Sequence, residues 1–248
     1  MSQVKFDFSG KNIVVTGASS GIGRQIALDL AEAGAMVLGI GRRTDALAAI
    51  QSQFPDKIFA VQCDVTIFSD LETAISSFVA RCGKLNGCVH AAGISGLTPL
   101  KVFDPVLAQR ILEVSLWSAV KLVQIVTKVK YSEKGTSSVL ISSVSASTGE
   151  KGMLAYSAAK AGVRTAVKVL AKEVAPKGHR VVSVSPGWVK TGMTGQISQV
   201  VDTENVEDRH LLGCGKPEDV SGVVLFLLSD RTSWMTGTDI VVDGGYLA

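Results

Sequence analysis

The chain has 248 residues, 46% hydrophobic and 19% charged, with a formal net charge of +3. That apolar content supplies a sizeable core, and so weak and dispersed a positive charge argues against nucleic acid as a partner. No apolar run approaches the roughly 20 residues that span a bilayer, and the opening MSQVKFDFSG has no signal-peptide pattern, so a cytoplasmic protein without a membrane partner is expected. No composition break or Pro/Ser-rich linker divides residues 1–248, which reads as one domain. Cys63, Cys82, Cys88 and Cys214 lack metal-ligand spacing, and buried thiols in a reducing compartment are the default for them.

In chain order, apolar strand-like runs fall at 12–16, 36–41, 58–63, 86–91, 138–142, 180–185 and 239–242. Helical patterns lie between them, which predicts an α/β fold with a parallel sheet covered on both faces. The first helix runs to about Ala33, where Gly34 stops it. Ser69 and Glu72 have capping-box spacing before a helix ending near Cys82. Asp104-Pro105 reads as cap and first residue of a long helix to about Lys130. Another helix spans about 154–174 and stops before Pro176 and Gly178. Lys216-Pro217 opens the last one, which ends near Ser229.

Two stretches carry chemistry. The first strand leads into TGASSGIG, Thr16–Gly23. Glycines at 17, 21 and 23 permit a tight turn, backbone approach to a pyrophosphate and close helix–sheet packing, with the helix N-terminus facing the phosphates. The spacing is G-x-x-x-G-x-G, not the commoner G-x-G-x-x-G. The second stretch is Ser142–Lys160. Tyr156 and Lys160 stand at i and i+4 in an alanine-rich helical segment, on one face. An ammonium beside a phenol stabilises the phenolate, so a tyrosine pKa drawn toward neutrality is expected, making Tyr156 a candidate general acid/base. Ser143 directly follows the run VLIS, where its hydroxyl could bond a carbonyl or alcohol oxygen.

These stretches resemble the short-chain dehydrogenases/reductases. The resemblance covers essentially the whole chain. It extends to Asp64-Val65, His90–Gly93, Ser185–Gly187 with Thr191, Pro217–Val220 and Val242–Gly245, in family order. It implies a Rossmann-like, doubly wound, seven-stranded parallel sheet. It also implies a dinucleotide cradled by Gly17, Ser19, Ser20, Gly21, Ile22 and Gly23, with Asp64 and Val65 at the adenine and Ala92-Gly93 close to the cofactor. Pro186, Gly187, Val189 and Thr191 would lie around the nicotinamide carboxamide. Tyr156 would exchange a proton with the substrate oxygen, Ser143 would orient that oxygen, and Lys160 would hold the ribose hydroxyls.

The second strand ends GIGRR. Gly41 stands where NAD-dependent relatives carry an acidic residue, and Arg42 follows. A guanidinium pairs with a 2′-phosphate that a carboxylate would repel, so NADP(H) is the expected cofactor, with Ser19 or Arg43 assisting.

Two departures from the family stand out. Ser115 occupies the place of the asparagine that helps position a relay water beside the active-site lysine, so the relay is expected to be rewired or slower. The NNAG-like motif reads His90-Ala91-Ala92-Gly93, and His90 is expected to be a neutral packed imidazole.

Gly192–Gly213 is expected to be a mobile lid that, with Gly96, Leu97, Ser145, Met153 and Trp188, lines a substrate pocket. Those groups suit a neutral or partly apolar carbonyl compound, or a sugar-like polyol. The leading reading is thus a carbonyl reductase or alcohol dehydrogenase. Alternatives are a 3-oxoacyl-carrier-protein reductase, with Lys128, Lys130 and Lys172 as a docking patch, and an NADP(H)-sensing protein without turnover. Family members commonly form homotetramers, and a homotetramer or homodimer is expected here. The stretches VKVLAKEV and VVLFLLS fit an interface or a core equally well.

Overall fold

The structure, a computed structural model, describes residues 5–197 and 208–248. Seven strands form one parallel sheet in the order β3-β2-β1-β4-β5-β6-β7. They are β1 Asn12–Thr16, β2 Met36–Gly41, β3 Ile58–Gln62, β4 Leu85–His90, β5 Ser132–Ile141, β6 Arg180–Pro186 and β7 Asp239–Val242. The helices are α1 Gly21–Glu32, α2 Thr44–Gln51, α3 Phe68–Cys82, α4 Pro105–Leu112, α5 Ser118–Val126, α6 Ser145–Thr148, α7 Leu154–Val174, α8 Gly192–Ile197 and α9 Pro217–Leu228.

The central strands read as unbroken apolar runs because both faces are covered. Alternate residues serve opposite layers. Ile13, Val15, Val139, Ile141, Val182 and Val184 pack with Ile26 and Leu30 of α1 and Val224 and Leu228 of α9. Val14, Leu38, Ile40 and Cys88 pack on the other side with Leu71 and Ile75 of α3 and Leu122 and Ile125 of α5. Leu140 and Val181 meet Val163 and Val167 of α7. The strand order reverses direction between β1 and β4, which opens a crevice at the carboxyl ends of the strands.

Three local expectations are corrected. The long helix expected over 105–130 ends at Val126 and is interrupted by a π-helical turn, Glu113–Trp117. There the Ser118 hydroxyl donates to the Val114 carbonyl at 2.6 Å, a back-bond that bends helices. The capping box at Ser69 does not form: α3 begins at Phe68 after an extended Ile67. Glu72 turns away to accept from Lys128 Nζ at 2.8 Å and Tyr131 Oη at 2.9 Å, since an ammonium is a stronger partner than a backbone N–H. Cys82 and Cys214 are only half-buried, unlike Cys63 and Cys88. The cap at Asp104 does form, accepting from Val106 N and Leu107 N. The segment 192–213 starts as α8, and residues 198–207 of the expected lid lie outside the described residues. Among the described residues, no helix is long and apolar enough to cross a membrane.

Candidate active site

A cleft of about 520 Å³ opens at the carboxyl ends of the strands. Its walls come from the turns that follow β1 to β6, and α7 closes one side. The turn after β1 contributes Gly17, Ser19, Ser20, Gly21, Ile22 and Gly23, and the turn after β2 contributes Arg42 and Arg43. Asp64 and Val65 follow β3, and Ala92 and Gly93 follow β4. Ser143 follows β5, Tyr156 and Lys160 reach in from α7, and Pro186, Gly187, Val189 and Thr191 follow β6.

The glycine turn is built for close approach. Gly17 has φ +71°, and a Cβ there would lie 2.6 Å from the Ala91 carbonyl oxygen. A Cβ on Gly23 would lie 2.5 Å from the Gly17 carbonyl oxygen. A side chain at either position would therefore push α1 or β4 away from the turn. The N-terminus of α1 opens onto the same cleft, with Ser20 extended at its cap. At the end of β2, a Cβ on Gly41 would meet Ser19 Cβ and Oγ at 3.1 Å. Arg43 donates to the Ser19 carbonyl at 3.0 Å, which folds the guanidinium back over this corner.

Asp64 is held from three sides. Its Oδ1 accepts from Thr66 N at 3.0 Å and Thr66 Oγ1 at 2.7 Å, and Arg110 on α4 approaches Oδ2 at 2.6 Å. Burial works to raise its pKa, but the hydrogen bonds from Thr66 and the Arg110 guanidinium together hold the carboxyl below its ordinary value. Arg110 was not legible as a site residue, because it lies far from Asp64 in sequence and on another element.

Lys160 is 4% exposed, and its Nζ donates to the Ile141 carbonyl at 2.8 Å. Burial lowers its pKa to about 8. The ammonium lies 5.6 Å from the Tyr156 ring centroid. The expected depression of the tyrosine is not found. Burial raises the Tyr156 phenol, and a hydrogen bond with Ser143 opposes that only in part. The Ser145 N–H donates to Ser143 Oγ at 3.2 Å and so holds that hydroxyl at the cleft.

Ser115 lies behind the wall, not on it. It is fully buried in the π turn. A Cβ on Gly93 would lie 3.7 Å from Ser115 Oγ and 3.5 Å from Lys160 Nζ, so the hydroxyl backs onto the lysine's surroundings. His90 is 1% exposed, with Nε2 2.7 Å from Ser118 Oγ. Since that hydroxyl already donates to Val114, the ring nitrogen is the donor. Burial and then the Lys160 charge lower its pKa to about 3, so it is a neutral packed imidazole.

The expected substrate residues are not brought to the cleft wall. Met153 is buried as the residue before α7. Ser145 stands behind Ser143, accepting from its hydroxyl at 3.3 Å. Trp188 faces a separate hollow of about 260 Å³ with Leu212, Cys214 and Asp243. Leu97 packs by Gly152, and Gly96 by Leu107. Ile94, Ser95, Met193 and Thr194 line the cleft instead. They flank glycine- and proline-bearing turns whose path no periodicity specifies.

The profile of a family described as enoyl-(acyl carrier protein) reductase matches residues 17–247. A 3-oxoacyl-[acyl-carrier-protein] reductase of Thermotoga maritima is 33% identical over 240 residues, 95% of this chain and 97% of that protein. One from Aquifex aeolicus is 32% identical over 247 residues, covering 98% and 99%. The crystal structure of a Brucella melitensis short-chain dehydrogenase/reductase, titled glucose/ribitol dehydrogenase, superposes with a TM-score of 0.92 at 28% identity over 98% of this chain and 99% of that one. The chain thus has counterparts along nearly its whole length, in sequence and in space. The chain belongs to the short-chain dehydrogenase/reductase family of oxidoreductases.

Proposed function

We propose that the protein is an NADP(H)-dependent oxidoreductase that interconverts a carbonyl and a secondary alcohol. The observation that carries this reading is the convergence of Ser143, Tyr156 and the buried Lys160 on the same cleft as the glycine turn and two arginines. The residues fit a phosphorylated dinucleotide. A backbone cradle that a Cβ would fill suits a pyrophosphate at the start of α1. Position 41 carries no carboxylate to repel a 2′-phosphate, a Cβ there would press on Ser19 at 3.1 Å, and Arg42 and Arg43 supply cationic partners. Asp64 and Val65 would hold the adenine, Lys160 the ribose hydroxyls, and Val189 and Thr191 the carboxamide.

When bound, the dinucleotide would supply or accept the hydride. In the reducing direction Tyr156 gives its phenolic proton to the carbonyl oxygen as the alcohol forms, and Ser143 donates a hydrogen bond to the same oxygen. The raised phenol suits the acid, because it stays protonated until a base draws the proton away. In the reverse direction Tyr156 takes the proton back. Ser115, close behind Lys160, is the group we assign to proton supply on that side.

A 3-oxoacyl thioester is the second substrate reading, supported by the names of the Thermotoga and Aquifex relatives. The lysine patch does not add to it. Lys128 and Lys130 both pair with Glu72, at 2.8 Å and 3.3 Å, so their charge is partly committed within the chain. Association of copies is proposed as well. Trp117, Leu154 and Val169 on the long helices, and Phe226, Trp234 and Val241 towards the C-terminus, are exposed apolar groups that a partner surface would cover.

Titration with NADPH and NADH, followed by nicotinamide fluorescence, tests the cofactor. A panel of ketones, sugars and 3-oxoacyl thioesters tests the reaction. Preference for NADH would overturn the assignment of Arg42. Thioester turnover without ketone turnover would promote the second substrate reading. Binding with no turnover across the panel would point to a sensing protein.

A further inference from the structure

After β6 the chain crosses the cleft through Gly187, Trp188 and Val189. This wall is fastened from behind. Gly187 N donates to the Val242 carbonyl at 3.0 Å, and Trp188 N donates to His210 Nε2 at 2.9 Å. A Cβ on residue 187 would lie 2.8 Å from both His210 Nε2 and Asp243 Cα, so the wall and its support are in direct contact.

His210 is 5% exposed, and its ring stacks on Tyr246 with centroids 4.6 Å apart and 28° between planes. The Arg209 guanidinium lies 4.3 Å from the Tyr246 centroid. The Tyr246 hydroxyl donates to Glu150 Oε1 at 2.7 Å. Burial and then Glu150 push that phenol up to about 12, so it remains a donor. Glu150 sits in the turn between α6 and α7, and its carbonyl accepts from Met153 N, immediately before the helix that carries Tyr156 and Lys160. One continuous set of contacts therefore joins the wall after β6, the C-terminal tail and the start of α7. Accepting at Nε2 requires that nitrogen to carry no proton. A glutamine oxygen could take the same bond, whereas phenylalanine could keep only the stack.

We propose that His210 is a positioning residue that fixes the Gly187–Val189 wall through the Trp188 amide and, through Tyr246 and Glu150, holds that wall in register with the helix bearing Tyr156. The role rests on the reading of this wall as the nicotinamide side of an NADP(H) cleft. It goes beyond that reading in assigning the register to a residue that does not line the cleft.

The test compares wild type with His210→Phe, His210→Gln and Tyr246→Phe. Its readouts are amide hydrogen exchange at Trp188 in the cofactor-free protein, NADPH affinity, and kcat against KM. His210→Phe is expected to speed Trp188 exchange by about tenfold and weaken NADPH binding by about threefold to tenfold, because a donor loses its acceptor. His210→Gln is expected to recover most of both. Tyr246→Phe keeps the stack and loses the bond to Glu150. It is expected to lower kcat several-fold with NADPH affinity held. Wild-type exchange and affinity in His210→Phe would overturn the proposal, as would His210→Gln no better than His210→Phe. If His210→Phe does not fold, an unchanged kcat in Tyr246→Phe still removes the coupling to α7. Wild-type protein that binds no nicotinamide dinucleotide would sink the functional reading itself. Wild-type binding that His210→Phe leaves intact would sink only the role of His210.

Discussion

Lys160 Nζ lies 5.6 Å from the centre of the Tyr156 ring and donates to the Ile141 carbonyl rather than to the phenol. The pair shares one face of α7, but burial acts on both members. It raises the tyrosine and lowers the lysine to about 8. The two are thus driven apart in proton affinity, so the lysine gives up its proton more readily than the phenol does.

The buried lysine is expected to cost stability, and Lys160→Met tests this. Its native pKa, about 8, lies below the unfolded value near 10.5. Above 10.5 both states are neutral and the penalty vanishes. Between those values the unfolded chain binds more protons, so wild-type stability rises with pH. Below about 8 the full penalty applies. Lys160→Met is expected to gain on the order of 1–3 kcal/mol at pH 7, to lose that advantage as pH climbs past 8 toward 10.5, and to lose activity. Urea denaturation at several pH values checks it. Equal stability of the two proteins across the range would contradict the burial penalty.

Tyr156→Phe removes the proton donor and leaves the ring. Turnover is expected to fall by about 100-fold or more, with NADPH affinity within about threefold of wild type. Single-turnover kinetics beside fluorescence titration separate the two quantities. A comparable loss in both would make Tyr156 a binding group.

Arg42→Ala is expected to weaken NADPH binding by about tenfold, roughly 1.4 kcal/mol, and to leave NADH nearly unchanged. Arg43→Ala is expected to do less, because that guanidinium is partly spent on the Ser19 carbonyl. Loss of NADH affinity to the same degree would show that the arginines shape the turn and do not read the 2′-phosphate.

Arg110→Ala frees one carboxylate oxygen of Asp64 while Thr66 keeps the other. The carboxyl should titrate nearer its ordinary range. Its stabilising contribution, present above the unfolded pKa and lost as pH falls through the native one, should then be smaller and be fully lost at a higher pH. NMR titration of Asp64 reads this directly. An unmoved carboxyl would show that Thr66 alone sets it.

Patterns local in sequence already determined much of this protein. Apolar runs of strand length, the glycines at 17 and 23, the cap at Asp104 and the i,i+4 tyrosine and lysine each depend on neighbours within a few residues, so the sheet, the glycine turn and the core of the candidate site were legible. The tertiary structure alone decided what depends on distance across the fold. It turned Glu72 from a cap into the partner of Lys128, gave Asp64 to Arg110, and fastened the Trp188 amide to His210. It also reversed the expectation for Tyr156, because i,i+4 spacing places a charge nearby but says nothing of how much water is left around it. Desolvation is a property of the packed whole, and at this site it outweighs the hydrogen bond with Ser143.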